Sequence, residues 1–325
     1  MTATRTQVVK PLQQDWTSQL EPEAIVTVCR SVASRGRERT LAPVTTIQWF
    51  FVQMLPGNTA CPHRRHLPTL DVTASASCQA RLKLPLTVFE QLLRSVSQAL
   101  PHAPLEEGRW LGHRTFWVDG SSGSRPDTPV RQEPCGQSGK PRPGCGCPMA
   151  HRLARWQAGT GRVVQICAAP LRTHALAPVV ALHPAWRPEE VLVADRGLCS
   201  YAPRARLVPA GVHAVFRLPQ RHSVDCTPGR PQVTPRTRGK RHQGQPRAGG
   251  WQQLGEHDQL VHGLTPLAAP PWRDEAQCAP LPERLAVRAL PYQVHRKGLR
   301  VTKMPLVTTL LDATRDPVEA FAQLY

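Results

Sequence analysis

Apolar residues in the first third of the chain recur at mixed spacings of three and four, which is the pattern of amphipathic helices. In the segment from Pro22 to Ser34 the apolar stripe consists of Ile25, Val28, Cys29 and Val32. The same pattern predicts two further helices, at 43–55 and 86–100. We therefore predict that residues 1–110 form a helical N-terminal domain.

Near residue 110 the pattern changes to short apolar runs with β-branched and aromatic residues, which are typical of strands. The first strand is predicted at 115–118; it ends at Asp119 and is followed by a loop at 120–124. A β-hairpin is predicted from the runs at 151–156 and 162–168, because the residues between them form a glycine-containing turn sequence. The later elements are predicted as a helix at 174–182, a strand ending at Asp195, a helix at 201–208 stopped by Gly211, and a strand at 213–218.

The order strand, strand, strand, helix, strand, helix, strand is that of an RNase H-like domain, so the predicted fold class is α/β. In such a sheet the first strand is central and the fourth lies parallel beside it. Because a parallel connection through a helix follows the right-handed crossover, Asp119 and Asp195 are predicted to be neighbours in space. The alternative for Asp195 is a loop residue that caps the helix beginning near Ser200.

The segment between the last strand of this series and the run LVTTLLD is too long for a plain loop. Alternation around Leu285 and Val287 predicts short strands within it. The predicted domains are a basic, DNA-binding helical domain at 1–110, the first part of the RNase H-like core at 111–218, a β-rich insertion with a basic loop at 219–304, and the last core strand with the start of a final helix at 305–325.

The charge of the chain indicates what kind of partner it binds. The 325 residues carry a formal net charge of +18, which implies a polyanionic partner, and we predict double-stranded DNA. A basic loop within 226–255 has no acidic residue and offers phosphate contacts. The alternative is a disordered linker whose charge only aids solubility. The candidate DNA contacts in this loop are Arg236, Arg238, Lys240 and Arg241.

Nothing in the sequence predicts a membrane protein or an exported one. The longest apolar run, near 47–55, is interrupted by Gln48 and Gln53 and is too short to span a bilayer. The N-terminus lacks the apolar core of a signal peptide. The cysteines lack regular pairing spacing, which indicates reduced thiols. We therefore expect no membrane partner and a cytoplasmic location.

Two neighbouring carboxylates beside a basic surface indicate metal-dependent phosphoryl chemistry. Mg²⁺, or Mn²⁺ in its place, prefers hard oxygen ligands and commonly takes one or two protein carboxylates with substrate phosphate oxygens. Asp119 and Asp195 are therefore the candidate metal-binding and catalytic residues. A complete site of this class generally needs a third acid. A zinc site in the cysteine-rich stretch before His151 is not favoured, because its cysteines lack the paired two-residue spacing of structural zinc sites.

Seven longer motifs follow one another along the chain: VDGS at 118–121, DTP at 127–129, GQSGKPRPGCGCP at 136–148, ADRGLCSYA at 194–202, LGEHDQLV at 254–261, LPERLAVR at 281–288 and LVTTLLD at 306–312. In these motifs and their order the chain resembles the DDE transposases of the insertion-sequence-four family over nearly its whole length. The resemblance implies an RNase H-like catalytic domain in which Asp119 and Asp195 match the first two metal-binding acids. It also implies transposon-end DNA as the partner, a bacterial cytoplasm with the protein on the nucleoid, and an assembly compatible with a homodimer.

The match to the family's third acid fails. In the family a Tyr-Arg-Glu-Lys signature follows the TTLLD strand, and its Glu is the final metal ligand. Tyr325 matches the signature's tyrosine and is a candidate DNA contact, as is Arg196 beside the second acid. Glu319 precedes Tyr325, whereas the family's glutamate follows the tyrosine, so a solvent-facing residue is the favoured interpretation of Glu319.

These observations leave two hypotheses. The first is a transposase that cleaves and joins DNA with Asp119 and Asp195 holding magnesium. The second is a C-terminally truncated remnant or regulator that binds DNA but does not cut it. We expect that this chain does not carry out strand transfer as it stands.

Overall fold

The chain divides into two compact units, Met1–Ala103 and Pro104–Tyr325. The computed structural model describes residues 21–32, 41–54, 72–99, 109–125, 127–128, 132, 135, 147–170, 186–219, 247–264, 281–294 and 302–324. The predicted helix at 174–182, the four basic-loop residues at 236–241 and Tyr325 lie outside the described residues.

Four helices are described in the first unit. They are α1 (Pro22–Ser31), α2 (Pro43–Met54), α3 (Ala74–Leu82) and α4 (Leu86–Ala99). The three that the apolar pattern predicts are α1, α2 and α4. They share one small core, because their stripes bury the side chains that recur at helical spacing. The buried members of this core are Ile25, Val28, Cys29, Ile47, Val88 and Leu92.

The helix α3 was not predicted from the apolar pattern. Its residues, ASASCQARL, are mostly small and polar, so an apolar stripe is nearly absent. Its beginning is nevertheless marked by Thr73, whose side-chain oxygen accepts a hydrogen bond from Ala76 N at 3.1 Å. An N-cap threonine of this kind satisfies one of the amides left free at a helix start. The N-cap threonine, rather than the hydrophobic pattern, is therefore the feature of the sequence that could have predicted α3.

The second unit is built on a ten-stranded mixed sheet. Its strands are β1 (Arg109–Trp110), β2 (His113–Ser124), β3 (Met149–Gln157), β4 (Val163–Pro170), β5 (Glu190–Ala194), β6 (His213–Arg217), β7 (Arg247–Gly255), β8 (Asp258–Leu264), β9 (Arg284–Val294) and β10 (Thr302–Thr308). The sheet order is β4-β3-β2-β5-β6-β10-β9-β8-β7, with β1 paired to β2. Three neighbouring strands, β2, β5 and β6, run parallel, and the other pairings are antiparallel.

The core lies on both faces of the sheet around β5. Because successive strand residues point to opposite faces, Leu192 and Ala194 join one buried cluster while Val191 and Val193 join another. On the first face the partner is α5 (Tyr201–Leu207), which continues into a 3₁₀ turn that ends at Gly211 with φ 68°. On the second face the C-terminal 3₁₀ helix (Val318–Leu324) packs. Burial on both faces explains why β5 reads as an uninterrupted apolar run.

Two predictions about the sheet were wrong. The stretch 120–124, predicted as a loop, continues β2 and pairs with β3 from Gly120 opposite Leu153 to Ser124 opposite Met149. A long antiparallel ladder with β3 here outweighs the low strand propensity of glycine and serine. The strands of the predicted insertion are longer than expected and extend the same sheet, since β9 pairs with β10 along seven residue pairs.

No helix in the described part of the chain has the length and apolar character needed to cross a membrane.

Candidate active site

The two predicted acids lie side by side at the carboxyl edge of the parallel strands. Strands β2 and β5 pair in parallel up to Val118 opposite Ala194, and the next residue of each chain segment is Asp119 and Asp195 respectively. Both carboxylates are exposed. This edge of a parallel sheet is where ligands bind in open α/β folds. The topology therefore brings together two residues that are distant in sequence.

Each of these carboxylates is held by one backbone amide close to it in sequence. Oδ1 of Asp119 accepts from Gly120 N at 2.7 Å, and Oδ1 of Asp195 accepts from Gly197 N at 2.9 Å. A Cβ added at Gly197 would lie 3.2 Å from Oδ1 of Asp195, so glycine allows the close turn there. The second oxygen of each carboxylate has no hydrogen-bond partner among the described residues. Two free carboxylate oxygens at one edge are a donor set that fits Mg²⁺ or Mn²⁺.

A cavity of about 190 Å³ lies along the β2–β3 ladder, and its lining begins at Gly120, the residue after Asp119. Ser121 lies opposite Arg152, and Ser122 lies opposite His151, with Ser122 Oγ 2.9 Å from His151 Nδ1. The Arg152 guanidinium lies over the backbone of Gly123, where an added Cβ would meet it at 2.1 Å. These hydroxyl, imidazole and guanidinium groups are hydrogen-bond donors suited to phosphate oxygens. Arg152 was not predicted as a site residue, because its approach to Gly123 depends on the β2–β3 register.

The Cys199 thiol lies in the turn that follows Asp195. Burial raises the pKa of Cys199, and the Asp195 carboxylate raises it further, while the Arg204 guanidinium opposes both. A thiol with a raised pKa stays protonated and is a poor nucleophile and metal ligand. The site chemistry at this edge therefore belongs to the carboxylates.

Within the described ranges, no third His, Cys, Asp or Glu groups with Asp119 and Asp195. The exposed Glu319 lies in the C-terminal 3₁₀ helix, next to Ala320, whose carbonyl accepts a hydrogen bond from Trp110 Nε1 at 3.0 Å. Trp110 pairs with His113 at the amino-terminal end of β2. Glu319 thus lies toward the edge opposite Asp119. The exposed Arg196 follows Asp195 directly.

A second group of polar side chains converges at that opposite edge. It consists of His113, the first residue of β2, Glu189, which precedes β5, and His213, the first residue of β6. One ligand atom from each lies within 4.8 Å of the others. Burial lowers the pKa of His213, and the neighbouring His113 lowers it further, against the opposing effect of Glu189. This group was not predicted from the sequence, because its members meet only through the strand order.

Comparisons with known proteins add little to this geometry. No family model and no curated protein matches the chain. One solved structure that matches is the piggyBac transposase synaptic complex with hairpin DNA, at 10% sequence identity and a TM-score of 0.33. The match covers 82% of this chain and 54% of that chain, so the chain spans about half the length of that transposase chain. A likeness at this TM-score carries no argument about the fold or the site.

Proposed function

We propose that the protein is a transposase-like DNA-binding protein with an RNase H-like core that holds a divalent metal ion at Asp119 and Asp195. The observation that carries this proposal is the pairing of two exposed carboxylates at the carboxyl edge of adjacent parallel strands. The net charge of +18 supports a nucleic-acid partner.

Each residue of this edge has a role in the proposal. Asp119 and Asp195 would hold Mg²⁺ or Mn²⁺ through their free oxygens. A bound Mg²⁺ supplies Lewis acidity to a phosphoryl oxygen. His151 and Arg152 line the cavity along the β2–β3 ladder, and their side chains would donate hydrogen bonds to the DNA backbone there. Arg196, the basic loop and Tyr325 are proposed to contact DNA beyond this cavity.

Metal binding at the two carboxylates is tested with Mn²⁺, followed by electron paramagnetic resonance. We expect Asp119→Asn and Asp195→Asn each to weaken Mn²⁺ binding by about tenfold or more, because each removes one charged oxygen ligand. Glu319→Gln is the matched control, since it removes an acid toward the opposite edge. Unchanged Mn²⁺ affinity in both Asp variants would refute the metal site, and an equal loss in Glu319→Gln would make Glu319 a third ligand.

DNA binding is tested by fluorescence anisotropy with duplex DNA at a series of salt concentrations. Binding dominated by phosphate contacts must weaken steeply as salt rises. Replacing Arg236, Arg238, Lys240 and Arg241 together by Gln should reduce the slope of log K against log salt by about 3 to 4. The exposed Arg284 on β9, replaced by Gln, is the control for loss of a single surface charge. If the variant with all four substitutions kept the wild-type salt slope, the basic loop would not be part of the DNA interface.

A second candidate function is DNA binding without cleavage. It is favoured by the absence of a third acid beside Asp119 and Asp195 in the described ranges. Incubation of supercoiled plasmid with the protein and Mg²⁺ separates the two candidates. Nicking that disappears in Asp195→Asn supports the catalytic function, and retention of DNA without nicking supports the binding function.

A further inference from the structure

We propose that His113, Glu189 and His213 form a zinc site at the amino-terminal edge of the three parallel strands, distinct from the Asp119–Asp195 pair. The site is built from the starts of β2, β5 and β6, so one ion would join three neighbouring strands. Imidazole nitrogens and a carboxylate oxygen are a donor set that suits Zn²⁺, whereas the pair of carboxylates at the other edge suits Mg²⁺.

The tautomer of His113 leaves the correct nitrogen available for a metal. The Arg315 guanidinium has no acceptor atom, so it donates to His113 Nε2, at 3.2 Å. Nε2 therefore carries the lone pair, and Nδ1–H donates to the backbone carbonyl of Glu189 at 3.0 Å. A histidine that donates one ring N–H to a backbone carbonyl and offers the other nitrogen to the ion is the usual arrangement at metal sites.

The separations are somewhat longer than those that a tetrahedral ion imposes. Ligands about 2.0 Å from Zn²⁺ lie roughly 3.3 Å from one another. The Glu189 carboxylate lies 3.9 Å from His213 Nε2, and one ligand atom from each of the three side chains lies within 4.8 Å of the others. To bind the ion, the Glu189 carboxylate would have to move closer to the histidines. Its side chain is 67% exposed, so it has room to do so.

The backbone of Glu189 has a positive φ, which is unusual for a residue other than glycine. Its φ is 64°, in the left-handed region, which a non-glycine residue adopts at a cost of about 1 kcal/mol or more. Glu189 N is held there by the carbonyl of Gly211 at 2.8 Å. This conformation holds the Glu189 carboxylate near both histidines. A strained residue that completes a convergent donor set points to a functional site rather than a packing defect.

The site already attracts a cation. The Arg315 guanidinium lies against His113 Nε2 and 3.9 Å from the Glu189 carboxylate, and it is 58% exposed. The buried Asp316 adds a second negative charge that acts on His213. The Arg315 guanidinium therefore lies beside two of the three proposed ligands, and its exposure allows it to move away when Zn²⁺ binds.

The test is a titration of the purified protein with Zn²⁺ and, in parallel, with Co²⁺ as a spectroscopic probe. Glu189→Gln and His213→Gln should each weaken Zn²⁺ binding by about 10-fold to 100-fold. Arg315→Gln should strengthen it by up to about fivefold, because it removes the competing guanidinium. Asp195→Asn should bind Zn²⁺ as the wild type does, which separates this site from the proposed magnesium site.

The Co²⁺ spectrum shows whether the cysteines are responsible instead. Nitrogen and oxygen ligands give no sulfur-to-cobalt charge-transfer absorption, so its presence, unchanged in Glu189→Gln, would overturn the proposal. Wild-type affinity in both Glu189→Gln and His213→Gln would overturn it as well. Circular dichroism of each variant checks that the sheet is intact. The Arg315→Gln variant is a further control, because it is expected to gain Zn²⁺ affinity and misfolding would not produce a gain.

Discussion

Asp258→Ala is expected to lower the free energy of unfolding by about 3–5 kcal/mol, because it leaves a buried guanidinium without its counter-ion. The guanidinium belongs to Arg288 on β9, which is 0% exposed. Its Nε donates to Oδ1 of Asp258 at 3.1 Å, and a second nitrogen donates to Oδ2. Removing the Asp258 carboxylate would therefore leave the positive charge of Arg288 buried and uncompensated.

Arg288 also ties the sheet to the segment that leads to the C-terminal 3₁₀ helix. Its third nitrogen donates to the carbonyls of Leu310, Asp312 and Asp316, at 3.3, 3.3 and 2.9 Å. For this reason the apolar double variant Asp258→Leu with Arg288→Met should recover only part of the lost stability, since these carbonyls would lose their donor.

Urea-induced unfolding followed by tryptophan fluorescence measures this effect. Glu256→Gln is the matched control, because Glu256 lies two residues earlier in the same hairpin and its side chain is 89% exposed. We expect the control to stay within about 0.5 kcal/mol of the wild type. A loss below about 1 kcal/mol in Asp258→Ala would show that the ion pair is not the support we infer.

Elements whose local pattern agrees with their tertiary role could be predicted from the sequence. The run Val191–Ala194 is apolar because both faces of β5 are covered, and the hairpin of β3 and β4 has Gly161 at φ 66° in its turn. The turn after α5 likewise ends at Gly211. In these places glycine conformation and hydrophobic burial carry the information within a few residues of chain.

Elements whose stability comes from distant partners were not predictable in the same way. The stretch Gly120–Ser124 has the composition of a loop, and it is a strand because β3 supplies a partner for each residue. The same limit applies to the sites. The adjacency of Asp119 and Asp195 follows from strand order, whereas the approach of Arg152 and the convergence at Glu189 depend on register and on one backbone torsion. Neither is encoded as a local motif.

The buried pair of Arg155 and Glu190 gives the other large expected effect. Arg155 is 4% exposed and Glu190 is 3% exposed, and their side chains meet at 2.7 Å. The guanidinium lies 4.1 Å from the ring centre of Phe116 and 3.8 Å from that of Trp186. Burial lowers the pKa of Arg155 to about 10, with Glu190 opposing the change, so Arg155 is still charged at neutral pH.

Glu190→Gln should therefore lower the free energy of unfolding by about 3 kcal/mol, because it keeps the shape of the side chain but removes the charge that compensates Arg155. Arg155→Gln combined with Glu190→Gln should cost less than the sum of the two single changes, since no buried charge is left unpaired. The exposed Glu283, replaced by Gln, controls for the loss of one surface carboxylate. Urea unfolding of the four variants and the wild type gives the coupling energy. Additive losses would show that the two side chains stabilise the sheet independently.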